Sequence, residues 1–248
     1  MDTRIAAGWP KMMGLLLLSL CSGAATADTP AIVLSPYEAT YRTKAMGMTM
    51  TVERKLVQEA SGYRLSSVGS SFLASLTELA HFDLKEGRIL GKDYSYELKS
   101  LVRRRREVVF QPERGIIKSL RKDVWTEHPW SPDVLDQFSQ QEQLRLDLRA
   151  AAQAGNNRPQ ELSFKVVDGA RMKTRVLELV AEETLTTPLG NLATLHYRQR
   201  RAADSGRSSD VWIAPSLDFM MVLTQHREDD SLIEIALESV SVKPSQAQ

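Results

Sequence analysis

Imidazole is the usual general base and metal ligand near neutral pH, so the four histidines are the first residues to test for chemistry. His81, His128, His196 and His226 lie far apart, and none sits in an HExxH or comparable spacing. A metal site needs three or four converging donors, commonly with two close in sequence. His81 with Asp83 comes nearest, on one face of a candidate strand, and supplies only two donors. No metal site and no cofactor are expected. Ser119-Leu120-Arg121-Lys122 has the SxxK spacing in which a lysine helps to activate a serine, but the companion SDN and KTG strings are missing. Residues 116–125 read as a strand, which sends Ser119 and Lys122 to opposite faces. There is no GxSxG elbow and no Walker string, so no catalytic residue is assigned. A triad assembled from distant positions would leave no such trace.

Two further groups are candidates for binding. Arg103-Arg104-Arg105-Arg106 is the sharpest charge feature, and guanidinium groups grip phosphate oxygens in bidentate fashion. Strand alternation puts Arg103 and Arg105 on one face, the candidate anion patch, and Arg104 and Arg106 on the other. The competing expectation is an edge strand whose charges pair with acidic neighbours and discourage aggregation. Trp125 and Trp130 flank His128-Pro129, and with Phe138 and Trp212 they are the candidate lining of an apolar ligand cavity; packing of a helix onto a sheet would use the same residues. Met46, Met48, Met50, Met220 and Met221 form a second apolar set, suited to core or to an adaptable surface.

The elements that must carry these residues are mostly strands. From Tyr37 onward apolar residues recur with period two between Gly, Pro, Asp and Asn, as in Tyr37-Ala39-Tyr41, Tyr94-Tyr96-Leu98 and Leu162-Phe164-Val166. Asp168-Gly169 predicts a type I′ hairpin over residues 160–182, and Thr187-Pro188-Leu189-Gly190-Asn191 a second turn. The polar stretch Ala202 to Ser209 reads as an exposed loop. One segment breaks the pattern: Ser131 as N-cap, Pro132 in the first turn, and apolar residues at three- and four-residue spacing to Ala154 predict one amphipathic helix over about 132–154. Its apolar face has the open face of the sheet as partner. The expected fold is mainly β: a single curved antiparallel sheet or half-open barrel of about ten or eleven strands with that helix packed on it.

The first 27 residues have the layout of a secretory signal peptide: basic Arg4 and Lys11, an apolar run from Met12 to Leu20, and Ala25-Thr26-Ala27 as cleavage site. The run spans about nine residues, and a membrane helix needs roughly 20, so no transmembrane segment is expected in the mature chain. Residues 28–248 are expected to form one domain in the periplasm. Leu18-Ser19-Leu20-Cys21 offers lipidation as a competing fate, disfavoured because the residue before the cysteine should be small. Cleavage would remove Cys21 and with it all disulfide and thiolate chemistry. It also removes Asp2, Arg4 and Lys11, so the 32 basic and 31 acidic residues become 30 of each. Nucleic acid as partner is therefore excluded on charge.

Four strings in order, Tyr37-Glu38-Ala39-Thr40-Tyr41, Asp136 to Asp147 (DQFSQQEQLRLD), Glu183 to Gly190 (ETLTTPLG) and Asp210 to Leu217 (DVWIAPSL), resemble the DUF3108 family, from about Pro36 to Val242. The resemblance implies a secreted or periplasmic β protein and carries no catalytic residues. The segment Trp212 to Arg227 is more weakly similar to periplasmic lipoprotein carriers, half-barrels whose helices plug an apolar concavity. The expected role is non-enzymatic binding of a lipid, an envelope polymer or an envelope protein on the concave face. A hydrolase with scattered residues, and an assembly factor using its edge strands, are the alternatives.

Overall fold

The computed structural model describes residues 33–45, 47–202 and 206–242. The expected leader, Cys21 and Met46 lie outside them. Fifteen strands form one sheet among the described residues, and one α-helix accompanies it. The strands are β1 (Tyr37–Ala45), β2 (Met48–Glu59), β3 (Gly62–Ser70), β4 (Ser75–Lys85), β5 (Arg88–Lys99), β6 (Arg104–Gln111), β7 (Ile116–Arg121), β8 (Val124–Pro129), β9 (Val134–Leu135), β10 (Glu161–Asp168), β11 (Arg171–Thr187), β12 (Gly190–Gln199), β13 (Arg207–Ala214), β14 (Met220–Glu228) and β15 (Ser231–Val242); the helix α1 is Ser139–Gln153.

Along the sheet the order is β8-β7-β6-β5-β4-β3-β2-β1-β15-β14-β13-β12-β11-β10-β9. Consecutive strands pair as antiparallel neighbours, except that β8 and β9 are the two edges of the sheet and do not pair with each other, and the two-residue β9 joins β10 in parallel. β15 returns to pair with β1, from Tyr37 opposite Val242 to Ala45 opposite Ile233. The opposite seam is not closed by strand pairing. Side chains bridge it instead: Arg121 meets Asp168 at 2.7 Å, and the Gly169 N–H donates to Ser119 Oγ at 2.9 Å. The sheet is thus an open one, curled until its edges touch. Gly169 is required there, because its φ is +59° and a Cβ would lie 2.7 Å from Arg121 Cβ. Bulges at Thr40/Tyr41, His81/Phe82, Leu179/Ala181 and Trp212/Ile213 supply local bends.

Three expectations are corrected. The strand count of ten or eleven is too low, in part because residues 116–125 are two strands: Lys122 and Asp123 take positive φ of 50° and 59°, the I′ geometry that joins β7 to β8. The Asp168-Gly169 hairpin exists, but Asp168 pairs with Arg171, so Gly169 and Ala170 are its centre; only Gly169 has positive φ, as in a II′ turn. The helix does not start at Pro132. Val134 and Leu135 pair with Lys165 and Val166, and Asp136 caps the helix by accepting the N–H groups of Phe138 and Ser139, both at 2.8 Å. Ser131 hydrogen-bonds Asp133 instead.

The helix also does not lay one apolar stripe on an open face. Leu144 and Leu146 point to opposite sides yet both are buried, as are Ser139, Gln140, Glu142, Gln143 and Arg145. α1 is therefore enclosed, and its polar side chains must find partners inside the barrel wall. Tyr37, Leu56, Leu65, Phe82, Ile117 and Phe138 are almost fully covered around it. Each such side chain is worth roughly 1.5–3 kcal/mol of burial.

Candidate functional site

Three arginines from distant strands converge on the first turns of α1, and each is held by a glutamine. Arg106 of β6 donates to Gln137 Oε1 at 2.9 Å, Arg175 of β11 to Gln140 Oε1 at 2.9 Å, and Arg54 of β2 to Gln141 Oε1 at 2.8 Å. Residues 137, 140 and 141 are i, i+3 and i+4, the spacing that puts side chains on one side of a helix. Arg54 also donates to Ser67 Oγ at 3.1 Å, and its guanidinium lies 4.8 Å from the Tyr41 ring centroid and 5.1 Å from that of Phe138. Arg106 stands 5.4 Å over Tyr96. Aromatic faces and amide oxygens stabilise a cation without neutralising it.

No carboxylate among the described residues forms an ion pair with Arg54, Arg106 or Arg175. Acidic groups act on them from a greater distance: Glu78 and Glu142 on Arg54, and Asp168 on Arg175. Burial pushes the Glu78 carboxyl up to about 7, with the Tyr94 hydroxyl donating to it at 2.9 Å. Burial also raises Asp136, whose oxygens are taken by the helix cap and the Ser139 hydroxyl. Arg175 is lowered, chiefly by burial, with the Asp168 charge opposing and Arg201 and Arg106 adding repulsion.

Beside these groups lies a cavity of about 160 Å³, lined by Arg54, Arg175, Gln140 and Gln141 together with Leu144, Leu177, Met221 and Ile235 and by one acidic residue, Asp210, which is engaged by His196 and Arg198. Polar and apolar side chains alternate around it. The volume suits a headgroup or a short apolar segment, since a dry cavity of about 150 Å³ accommodates benzene. Ser209 also lines it, and Ser209 and His226 Nδ1 are 2.7 Å apart while Arg201 donates to the Ser209 hydroxyl at 3.0 Å. Burial lowers the His226 pKa, which favours the neutral ring. No carboxylate among the described residues hydrogen-bonds that ring.

The residues singled out in the sequence are scattered around this site. Phe138 lies under Arg54 at its floor. Trp125, 48% exposed, sits opposite Leu120, on the face of β8 away from the interior. Trp130 packs against the core, its backbone N–H donating to Gly115 O. Trp212 stacks on His196 with centroids 4.2 Å apart and donates to Glu183 at 2.5 Å. His196 also contacts Asp210 at 2.8 Å and Glu183 at 3.2 Å, a clamp across β11, β12 and β13. Arg103 pairs with Glu97 and Arg105 with Glu107. His81 contacts Asp93, not Asp83, which takes Lys92; Ser119 is committed to Gly169. The glutamines at 137, 140 and 141 were legible as a helical face, but nothing in the sequence linked them to three arginines 31 to 87 residues away.

No curated protein matches this chain. Among solved structures, a β-barrel-like protein of the DUF1849 domain of unknown function from Brucella abortus superposes with a TM-score of 0.53 at 11% identity, over 86% of this chain and 99% of that one. A proposed lipoprotein from Parabacteroides distasonis aligns over 84% of this chain and 96% of its own, at 11% identity and a TM-score of 0.30. The first likeness concerns the fold alone. The sequence profile of DUF3108, a protein of unknown function, matches residues 36–232, and the chain belongs to that family.

Proposed function

We propose that this protein is a non-enzymatic binding protein of the cell envelope whose ligand is a small anionic amphiphile, or the anionic head of a larger one, held at the Arg54–Arg175 cavity. One observation carries the reading: covered guanidinium groups with only amide, hydroxyl and aromatic partners border a cavity that is also lined by Leu144, Leu177, Met221 and Ile235. Desolvated cations are costly when unpaired, and an incoming carboxylate or phosphate would supply the missing charge. Because α1 fills the concave face, the ligand occupies this cavity and not the whole face. The leader-like first 27 residues support an exported location.

The test is native mass spectrometry of the protein purified from its own cells, paired with calorimetric titration of hexyl phosphate. The expected result is a co-purifying anionic amphiphile and hexyl phosphate binding that falls at least tenfold in Arg175→Gln. Absence of both overturns the reading. A second reading, hydrolysis at Ser209 with His226 as base, is favoured by their 2.7 Å contact beside the cavity. It requires turnover of p-nitrophenyl hexanoate that disappears in Ser209→Ala.

A further inference from the structure

We infer that the barrel end carrying the β3–β4 and β5–β6 connections is a docking surface for an anionic phospholipid membrane. The two connections are neighbours, because Ser75 pairs with Lys99 at the last step of the β4–β5 ladder. Their tips hold four apolar side chains exposed to solvent: Phe72 at 99%, Leu73 at 56%, Leu101 at 100% and Val102 at 63%. Isolated exposed apolar residues are ordinary, but two adjacent tips presenting only apolar groups form a contiguous patch of the kind that marks an interaction surface.

Hydrogen bonds build both tips. The Ser71 N–H donates to Ala74 O at 2.7 Å and the Ala74 N–H to Ser71 Oγ at 3.2 Å. Ser100 likewise receives the Val102 N–H at 3.3 Å and donates to Val102 O at 3.0 Å. The serines satisfy the turn backbone locally, so these apolar side chains stand outward with no polar work of their own to do.

Directly beside them is a broad groove of about 510 Å³ lined by Val102, Arg103 to Arg106, Arg121, Lys122 and Asp123: six cations against one anion. Arg121 is held at the seam by the covered Asp168, whereas Arg103 and Arg105 have their acidic partners Glu97 and Glu107 at the surface. Exposed pairs of this kind contribute little and exchange readily for another anion. Arginine's planar fork matches a lipid phosphate. Apolar tips that enter the acyl boundary while arginines remain at headgroup level are the arrangement that holds peripheral proteins on anionic bilayers. The excess charge is local, since the whole chain has a formal net charge of only +1. This surface is separate from the cavity site and stands whether or not that site binds an amphiphile.

The test is vesicle flotation of the purified full-length protein, its N-terminus read by mass spectrometry, with phosphatidylethanolamine:phosphatidylglycerol 3:1 against pure phosphatidylcholine. Wild type is expected to float with the anionic vesicles at least tenfold better, and to be released by 0.5 M salt. Phe72→Ser/Leu101→Ser and, separately, Arg104→Gln/Arg105→Gln share the wild-type N-terminus and alter only exposed positions; each should lose at least five-fold of that binding with an unchanged melting temperature. An environment-sensitive dye on Phe72→Cys should shift blue with anionic vesicles, whereas the same dye on Glu113→Cys, at the other barrel end, should not. Wild-type floating that is independent of lipid charge, or variants that float as well as wild type, would overturn the proposal. So would a wild-type dimer that Phe72→Ser/Leu101→Ser converts to monomer without any loss of vesicle binding.

Discussion

Two sides of α1 hold their covered arginines in opposite ways. On one side, Arg145 is paired with Glu142 at 2.5 Å and with Asp218 at 2.8 Å, Tyr37 donates to the same Glu142 at 2.7 Å, and the Arg145 guanidinium lies 5.0 Å from the Tyr37 ring. On the other, Arg54, Arg106 and Arg175 have glutamine oxygens and aromatic faces instead. The first arrangement is complete: every charge has its opposite, and the helix is locked to β1 and to the turn before β14. The second leaves positive charge only partly compensated beside open volume. The proposed anionic ligand rests on that difference between Arg145 and the cavity arginines.

Four substitutions test that contrast. Arg145→Ala strands the buried Glu142 carboxylate and should cost about 3–5 kcal/mol in urea unfolding. Glu78→Gln should act in the other direction. Its carboxyl, raised by burial from 4.5 to about 7, keeps in the folded state a proton that the unfolded chain loses between those values. Stability therefore declines as pH rises from about 4.5 to 7. Glu78→Gln retains an acceptor for Tyr94 and removes that decline, gaining roughly 2 kcal/mol above pH 7 with little change near pH 4.5, as read from melts across pH. Trp212→Phe removes the indole N–H that donates to Glu183 and should cost about 1 kcal/mol without affecting hexyl phosphate binding. Arg175→Gln is the smallest expected stability effect, within about 1 kcal/mol of wild type, because it deletes a desolvated cation with no ion pair. If Arg175→Gln destabilised as much as Arg145→Ala, the two sides of the helix would be equivalent and the proposed ligand would lose its basis.

Legibility in the sequence followed how local the governing physics is. Period-two alternation at Tyr37-Ala39-Tyr41 and Leu162-Phe164-Val166 reports which side chains face inward within one strand, and Tyr37, Ala39, Tyr41, Phe164 and Val166 are all buried. The helix was visible from Leu144 and Leu148, but its start was misplaced, since Ser131-Pro132 imitates a cap and the pairing of Val134-Leu135 with β10 is a contact between segments some 30 residues apart. The aromatic candidates failed to gather because hydrophobicity marks a residue for burial without saying beside what: Trp212 went to His196 and Trp125 to the outer face.

By itself, then, the sequence determined a mainly β fold with one helix, its hairpin turns and its family, because alternation, turn chemistry and short ordered strings are properties of neighbouring residues. Only the tertiary structure decided that β15 closes onto β1, that the helix is enclosed with its polar face inward, and that Arg54, Arg106 and Arg175 meet at Gln137, Gln140 and Gln141. Those depend on sheet curvature and on long-range register, which place residues together in space that nothing along the chain connects.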